Sequence, residues 1–150
     1  MYQGAYNYMQ VHQSLDFCLR LARAHAGLVR RFDGRLGALH GIGFGDFTVL
    51  LQLSRAPGGK LRRVDLAGAL GLTASAVTRA LIPLEKIGLV KRQRDTHDAR
   101  VGYAVLTAAG RRLLEDAVAS AEEVSQDAVP ADGVRRLDAL SAMLAQLGNG

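Results

Sequence analysis

Between residues 55 and 112 the sequence sets 12 Lys or Arg against 4 Asp or Glu, a balance of +8, while the remainder holds 7 against 10. Hydroxyls accompany the cations. Ser75, Thr78 and Arg79 recur at helical spacing, and Arg62, Arg63, Arg94 and Arg100 flank them. A guanidinium is a planar fork of donors that pairs with a phosphate or a guanine edge, and a hydroxyl early in a helix bonds either. This is the chemistry of recognising a polyanion, not of breaking bonds. The sequence has no G-x-S-x-G, no phosphate-cradling glycine loop and no His/Asp/Glu set at metal-ligand spacing. We therefore expect no enzyme activity, no cofactor and no metal.

The elements that must position these groups can be read in chain order. Leu15, Cys18, Leu19, Ala22, Ala26, Val29, Phe32, Leu36 and Leu39 recur at helical period and predict a long amphipathic helix over residues 14–39. His40-Gly41-Ile42-Gly43 breaks it. Phe44–Ser54 reads as a second helix that ends at Ala56-Pro57-Gly58-Gly59, and Lys60–Arg62 as a short strand. Val64–Leu70 predicts a third helix, with Gly71 suited to its left-handed end. Thr73 caps a fourth, whose buried stripe is Val77, Leu81, Leu84 and Ile87, with Leu72 placed to staple onto Val77. Pro83 should bend or shorten that helix. Val90–Arg94 and Arg100–Leu106 then pair as a hairpin around the polar turn Asp95-Thr96-His97-Asp98. Thr107 caps a fifth helix, and Pro130 starts a sixth that carries Val134, Leu137, Leu140, Leu144 and Leu147. A helix-turn-helix followed by a charged hairpin can place one helix in a DNA major groove and a loop beside it.

These residues resemble the MarR family of bacterial winged-helix transcription regulators. Asp98-Ala99-Arg100, five residues, then Leu106-Thr107-Ala108-Ala109-Gly110 fits the family pattern D-x-R-x5-L-T-x-x-G at every fixed position. Ser75-Ala76-Val77-Thr78-Arg79 and Leu84-Glu85-Lys86-Ile87-Gly88-Leu89-Val90 are similar to the family's recognition helix and its exit. The resemblance implies a mainly α fold with a small β-wing. A winged helix-turn-helix lobe (44–110) would be flanked by dimerisation helices (14–42 and 112–150), in a single domain (14–150) behind a flexible arm (1–13). It further implies a cytoplasmic, ligand-responsive repressor, acting as a homodimer on a pseudo-palindromic double-stranded DNA operator. Its effector would be a small aromatic or phenolic acid.

On that reading Thr73, Ser75, Thr78 and Arg79 meet bases and backbone, and Arg62, Arg63, Arg94 and His97 meet phosphates. Arg100 enters the minor groove, oriented by Asp98 through an ion pair. Effector contacts would come from His25, His40, Phe44 and Phe47. Some relatives sense hydroperoxides through a cysteine on the first helix, which makes Cys18 a redox candidate. Cys18, however, falls on the apolar stripe with no Tyr between Tyr8 and Tyr103 to support a thiolate, which predicts a buried, inert thiol.

The single cysteine excludes an intrachain disulfide, no apolar run nears the ~20 residues of a membrane span, and MYQGAYNYMQ lacks a signal-peptide pattern. The rival from another class is a winged helix used only for protein contacts. It predicts a neutral recognition face, which Arg79, Arg94 and Arg100 oppose.

Overall fold

A computed structural model describes residues 2–149. The chain opens with α1 (Tyr2–His40), which is helical through residues 2–13, where a loose arm was expected. That stretch holds no proline, and Gly4 is tolerated inside a helix at about 1 kcal/mol, so nothing stops α1 before its start. Met1 lies outside the described residues. After Gly41 (φ 68°) the chain turns into α2 (Phe44–Arg55). Two carboxylates receive the free amides at that helix start: Asp33 accepts from the Phe44 N–H at 2.7 Å and Asp46 from the Gly43 N–H at 2.9 Å. Negative charge at a helix N-terminus is favourable, and here it fixes the corner between α1 and α2.

A 3-10 turn (Pro57–Gly59) leads to β1 (Lys60–Arg62) and α3 (Arg63–Leu70). Next come α4 (Ala74–Lys86), β2 (Val90–Arg94), β3 (Gly102–Leu106) and α5 (Ala108–Ala128). The three strands form one antiparallel sheet in the order β1-β3-β2. Tyr103 lies opposite Arg62 on one side and Gln93 on the other.

The core gathers Leu36 from α1, Val49, Leu50 and Leu53 from α2, Leu66 from α3, Val77, Leu81 and Leu84 from α4, and Val90 from β2, all fully buried. Both turns around α4 close in the same way. Leu72 N–H reaches the Ala67 carbonyl at 2.9 Å across Gly71, and Leu89 N–H reaches the Leu84 carbonyl at 3.0 Å across Gly88. The positive φ of each glycine makes these left-handed ends cheap. Pro83 does not stop α4, which runs on to Lys86. Ile87, expected in the buried stripe, falls in the turn beyond that end and is exposed, as is Leu72.

The last helix differs from expectation. Asp132-Gly133 turns the chain, with Gly133 N–H bonded to the Pro130 carbonyl, so α6 (Leu137–Leu147) begins only after a 3-10 turn at Val134–Arg136. None of its residues is buried. On α1, only Phe32 and Leu36 of the expected stripe are buried, and Leu15, Leu19 and Leu39 are more than half exposed.

Candidate nucleic-acid interface

α4 places its residues by the 3.6-residue period. Thr73 holds the start, its Oγ1 accepting from the Ala76 N–H at 3.1 Å while its own hydroxyl proton stays available to another acceptor. Ser75 and Arg79 are exposed and Thr78 is half-buried, opposite the buried Val77, Leu81 and Leu84. At the far end Arg92 Nε donates to both oxygens of Glu85, at 2.8 and 2.9 Å, tying the exit of α4 to β2.

The hairpin tip is built by two aspartates. Asp95 accepts from the backbone N–H of His97 (2.7 Å) and of Asp98 (3.1 Å), and from the Tyr103 hydroxyl at 3.2 Å. Those amides hold its carboxyl below the usual carboxylate range, and the same bond to Asp95 raises the Tyr103 hydroxyl. Asp98 accepts from Arg100 three times: from Nε (3.1 Å), from Nη2 (3.3 Å) and from the backbone N–H (3.0 Å). The Arg100 guanidinium, and then its amide, lower the Asp98 carboxyl. Arg100 is thus held at the tip with its side chain 91% exposed. Lys60 closes the base of the wing, its Nζ 4.9 Å from the centre of the Tyr103 ring.

Between the start of α3 and this wing lies an open cleft of about 460 Å³, lined by Arg62, Arg63, Arg92, Arg94, Arg100 and Tyr103 among others. Four of the arginines singled out in the sequence therefore meet in one place. Arg62 and Arg100 are steadied by Asp65 (2.8 Å) and Asp98, whereas Arg63 and Arg94 form no ion pair among the described residues. A guanidinium has five N–H donors, so the steadied arginines keep donors free. The cleft draws together a high density of positive charge with side chains that are already oriented. His97 is exposed in the turn beside it. The sequence marks Asp95 only as a turn residue and Tyr103 only as a strand residue, without their part in holding the tip. The signal for Tyr103 was strand alternation, which sets it in one row with Arg62 and Gln93.

The second half of the D-x-R-x5-L-T-x-x-G pattern is structural. Thr107 Oγ1 accepts from the Gly110 N–H at 3.0 Å and donates to the carbonyls of Gly88 (2.7 Å) and Leu89 (3.0 Å). A Cβ on Gly110 would collide with the Leu89 carbonyl oxygen and come within 2.8 Å of Leu106 Cδ1. Gly110 thus lets α5 start directly on the backbone that leaves α4.

Residues 45–101 match the family model described as MarR family. Over these residues the winged-helix lobe of this chain is similar to the MarR family. Its fold is that of DNA-binding transcriptional regulators. The regulator BldR from Sulfolobus solfataricus is 28% identical, with a TM-score of 0.78 over 91% of this chain and 97% of that one. A MarR family regulator from Streptomyces coelicolor, solved in complex with DNA, is 22% identical, with a TM-score of 0.78 over 89% and 87%. CouR from Rhodococcus jostii, solved bound to p-coumaroyl-CoA, is 24% identical, with a TM-score of 0.76 over 91% and 94%. No curated protein matches the chain.

The residues proposed to meet an effector are not brought together. His25 is exposed on α1, fifteen residues or about 22 Å along the helix from His40. The His40 ring nitrogen Nε2 shares a hydrogen bond with Ser120 Oγ at 2.9 Å, joining α1 to α5. Phe44 stacks on Phe32 with centroids 4.3 Å apart, and Phe47 is buried in the core. Cys18 is exposed, against the expectation of a buried thiol, because the stripe it belongs to has no cover within this chain. Among the described residues no single helix is long and apolar enough to cross a membrane.

Proposed function

We propose that this protein is a homodimeric repressor that reads a pseudo-palindromic operator. The arginine-lined cleft between α3 and a pre-formed wing carries the reading. In this role α4 lies in the major groove, with Ser75, Thr78 and Arg79 toward base edges and Thr73 toward the backbone. Arg62, Arg63, Arg94 and His97 take phosphates, and Arg100, steered by Asp98, enters the minor groove.

The dimer is supported by the uncovered apolar faces of α1 and α6, which a second copy related by a two-fold axis would bury. Two-fold symmetry sets the recognition helices about one helical turn apart on the DNA, ~34 Å. The relative solved with p-coumaroyl-CoA supports a small aromatic or phenolic acid, or its derivative, as effector. Lodged where α1, α2 and α5 meet the lobe, near His40 and Phe44, it would change the spacing of the two reading helices. Because the spacing is fixed by DNA, a small change costs several contacts together.

The test is fluorescence anisotropy with the promoter DNA beside the protein's own gene against scrambled DNA, over a salt series. The expected result is a preference of ~10³-fold or more with a steep salt slope. Equal weak binding to both DNAs, or none at low salt, would reject operator reading and favour a protein-contact module.

A further inference from the structure

From Ser75, steps of four, three and four residues reach Arg79, Ile82 and Lys86. At about 100° per residue these side chains share one face of α4 with Thr78. The structure agrees: Ser75, Arg79, Ile82 and Lys86 are exposed, and Val77, Leu81 and Leu84 on the opposite face are fully buried. Ile82 is therefore a large β-branched apolar side chain, 40% exposed, in the middle of an otherwise polar reading face. Most other exposed large apolar residues belong to α1 and α6, or to turns such as those at Leu72 and Ile87. Ile82 has neither setting.

We infer that Ile82 is a specificity-determining residue that packs against the 5-methyl group of a thymine in each operator half-site. This rests on the DNA-reading proposal above and adds a contact which hydrogen-bond reasoning overlooks. Each thymine puts a methyl group into the major groove, the one apolar feature of the base edges there, and apolar side chains read it by contact. Ile82 lies seven residues from Ser75, about 10 Å along the helix axis, within the ~12 Å width of the groove. One helix can thus read with Ser75, Thr78 and Arg79 at its start and with Ile82 a turn further on.

The experiment uses the full-length protein and a duplex selected by it from a randomised library. Each thymine is replaced in turn by deoxyuridine, which keeps every hydrogen-bonding group and lacks only the methyl. One symmetric pair of positions is expected to weaken wild-type binding about fourfold per half-site, the equivalent of one unburied methyl, and ~15-fold when both are changed. Ile82→Ala should bind the unmodified duplex correspondingly less tightly, be indifferent to those two substitutions, and keep the wild-type response at all other thymines. Thermal melting checks that the variant is folded. Uridine effects of equal size in wild type and Ile82→Ala, or wild-type affinity in the variant, would overturn the inference while leaving operator reading intact. Failure of the wild type to discriminate any DNA would remove both.

Discussion

Leu66, Leu81 and Leu84 in the lobe are closed off from solvent, whereas Leu140, Leu144 and Leu147 on α6 are about half exposed. The two regions use the same side chain for different ends. The lobe finishes its core within one chain: α2, α3, α4 and the sheet supply most of it, with α1 adding Phe32 and Leu36 and α5 adding Leu114, Ala117 and Ala121. The earlier part of α1 and all of α6 present apolar faces with no layer over them. The lobe carries the proposed DNA reading, and the uncovered faces of the outer helices carry the proposal of a second copy.

Charging the outer face should break the comparison most severely. Leu144→Asp is expected to shift sedimentation from a dimer to a single chain of 16.0 kDa, since a buried charge without a partner is costly. Operator affinity should fall ~10³-fold or more as one half-site is lost, while the lobe keeps its helical content. Gly110→Ala attacks the lobe instead. The new Cβ meets the Leu89 carbonyl, and overpacking of this kind costs about 1–3 kcal/mol in thermal or urea unfolding. Dimerisation should survive it.

Arg100→Ala should cost roughly tenfold in operator affinity, mostly at A·T-rich flanks, as measured by anisotropy on flank-substituted duplexes. Asp98→Ala removes only the steering of an exposed guanidinium, so a smaller loss, less than about fivefold, is expected. The smallest effect concerns pH. The carboxyls of Asp95 and Asp98 are lowered in the folded wing, so their contribution is fully present above the ordinary carboxylate pKa and is lost as pH falls through the depressed folded values. The amide shift of Arg100, which donates to Asp98, should therefore move mainly below about pH 4.

Much of the lobe was legible in the sequence because each turn carries its own chemistry. Gly71, Thr73, Gly88 and Thr107 mark ends that the backbone confirms. The arginines around the cleft were legible from charge and strand order. Periodicity failed where it had to say what covers a face. It marks Leu15, Cys18 and Leu19 as a stripe without saying that the cover is missing from this chain, so Cys18 was read as buried and is exposed. The effector residues were chosen by type along α1 and α2. By type Phe44 and Phe47 read equally as core residues, and Phe47 is buried while Phe44 stacks on Phe32; His25 lies fifteen residues along α1 from His40. The two aspartates of the wing differ in the same way: a motif marks the role of Asp98, whereas Asp95 reads as a turn residue until the amides it binds are seen.

Hydroxyl-radical footprinting on the selected duplex, with the protein-to-DNA ratio measured by sedimentation, tests most directly that one region reads and the other pairs. Two protected patches related by a dyad, about one helical turn apart, are expected at two chains per duplex. Leu144→Asp should leave the lobe folded and abolish the paired pattern. A single asymmetric patch at one chain per duplex, unchanged by Leu144→Asp, would contradict it.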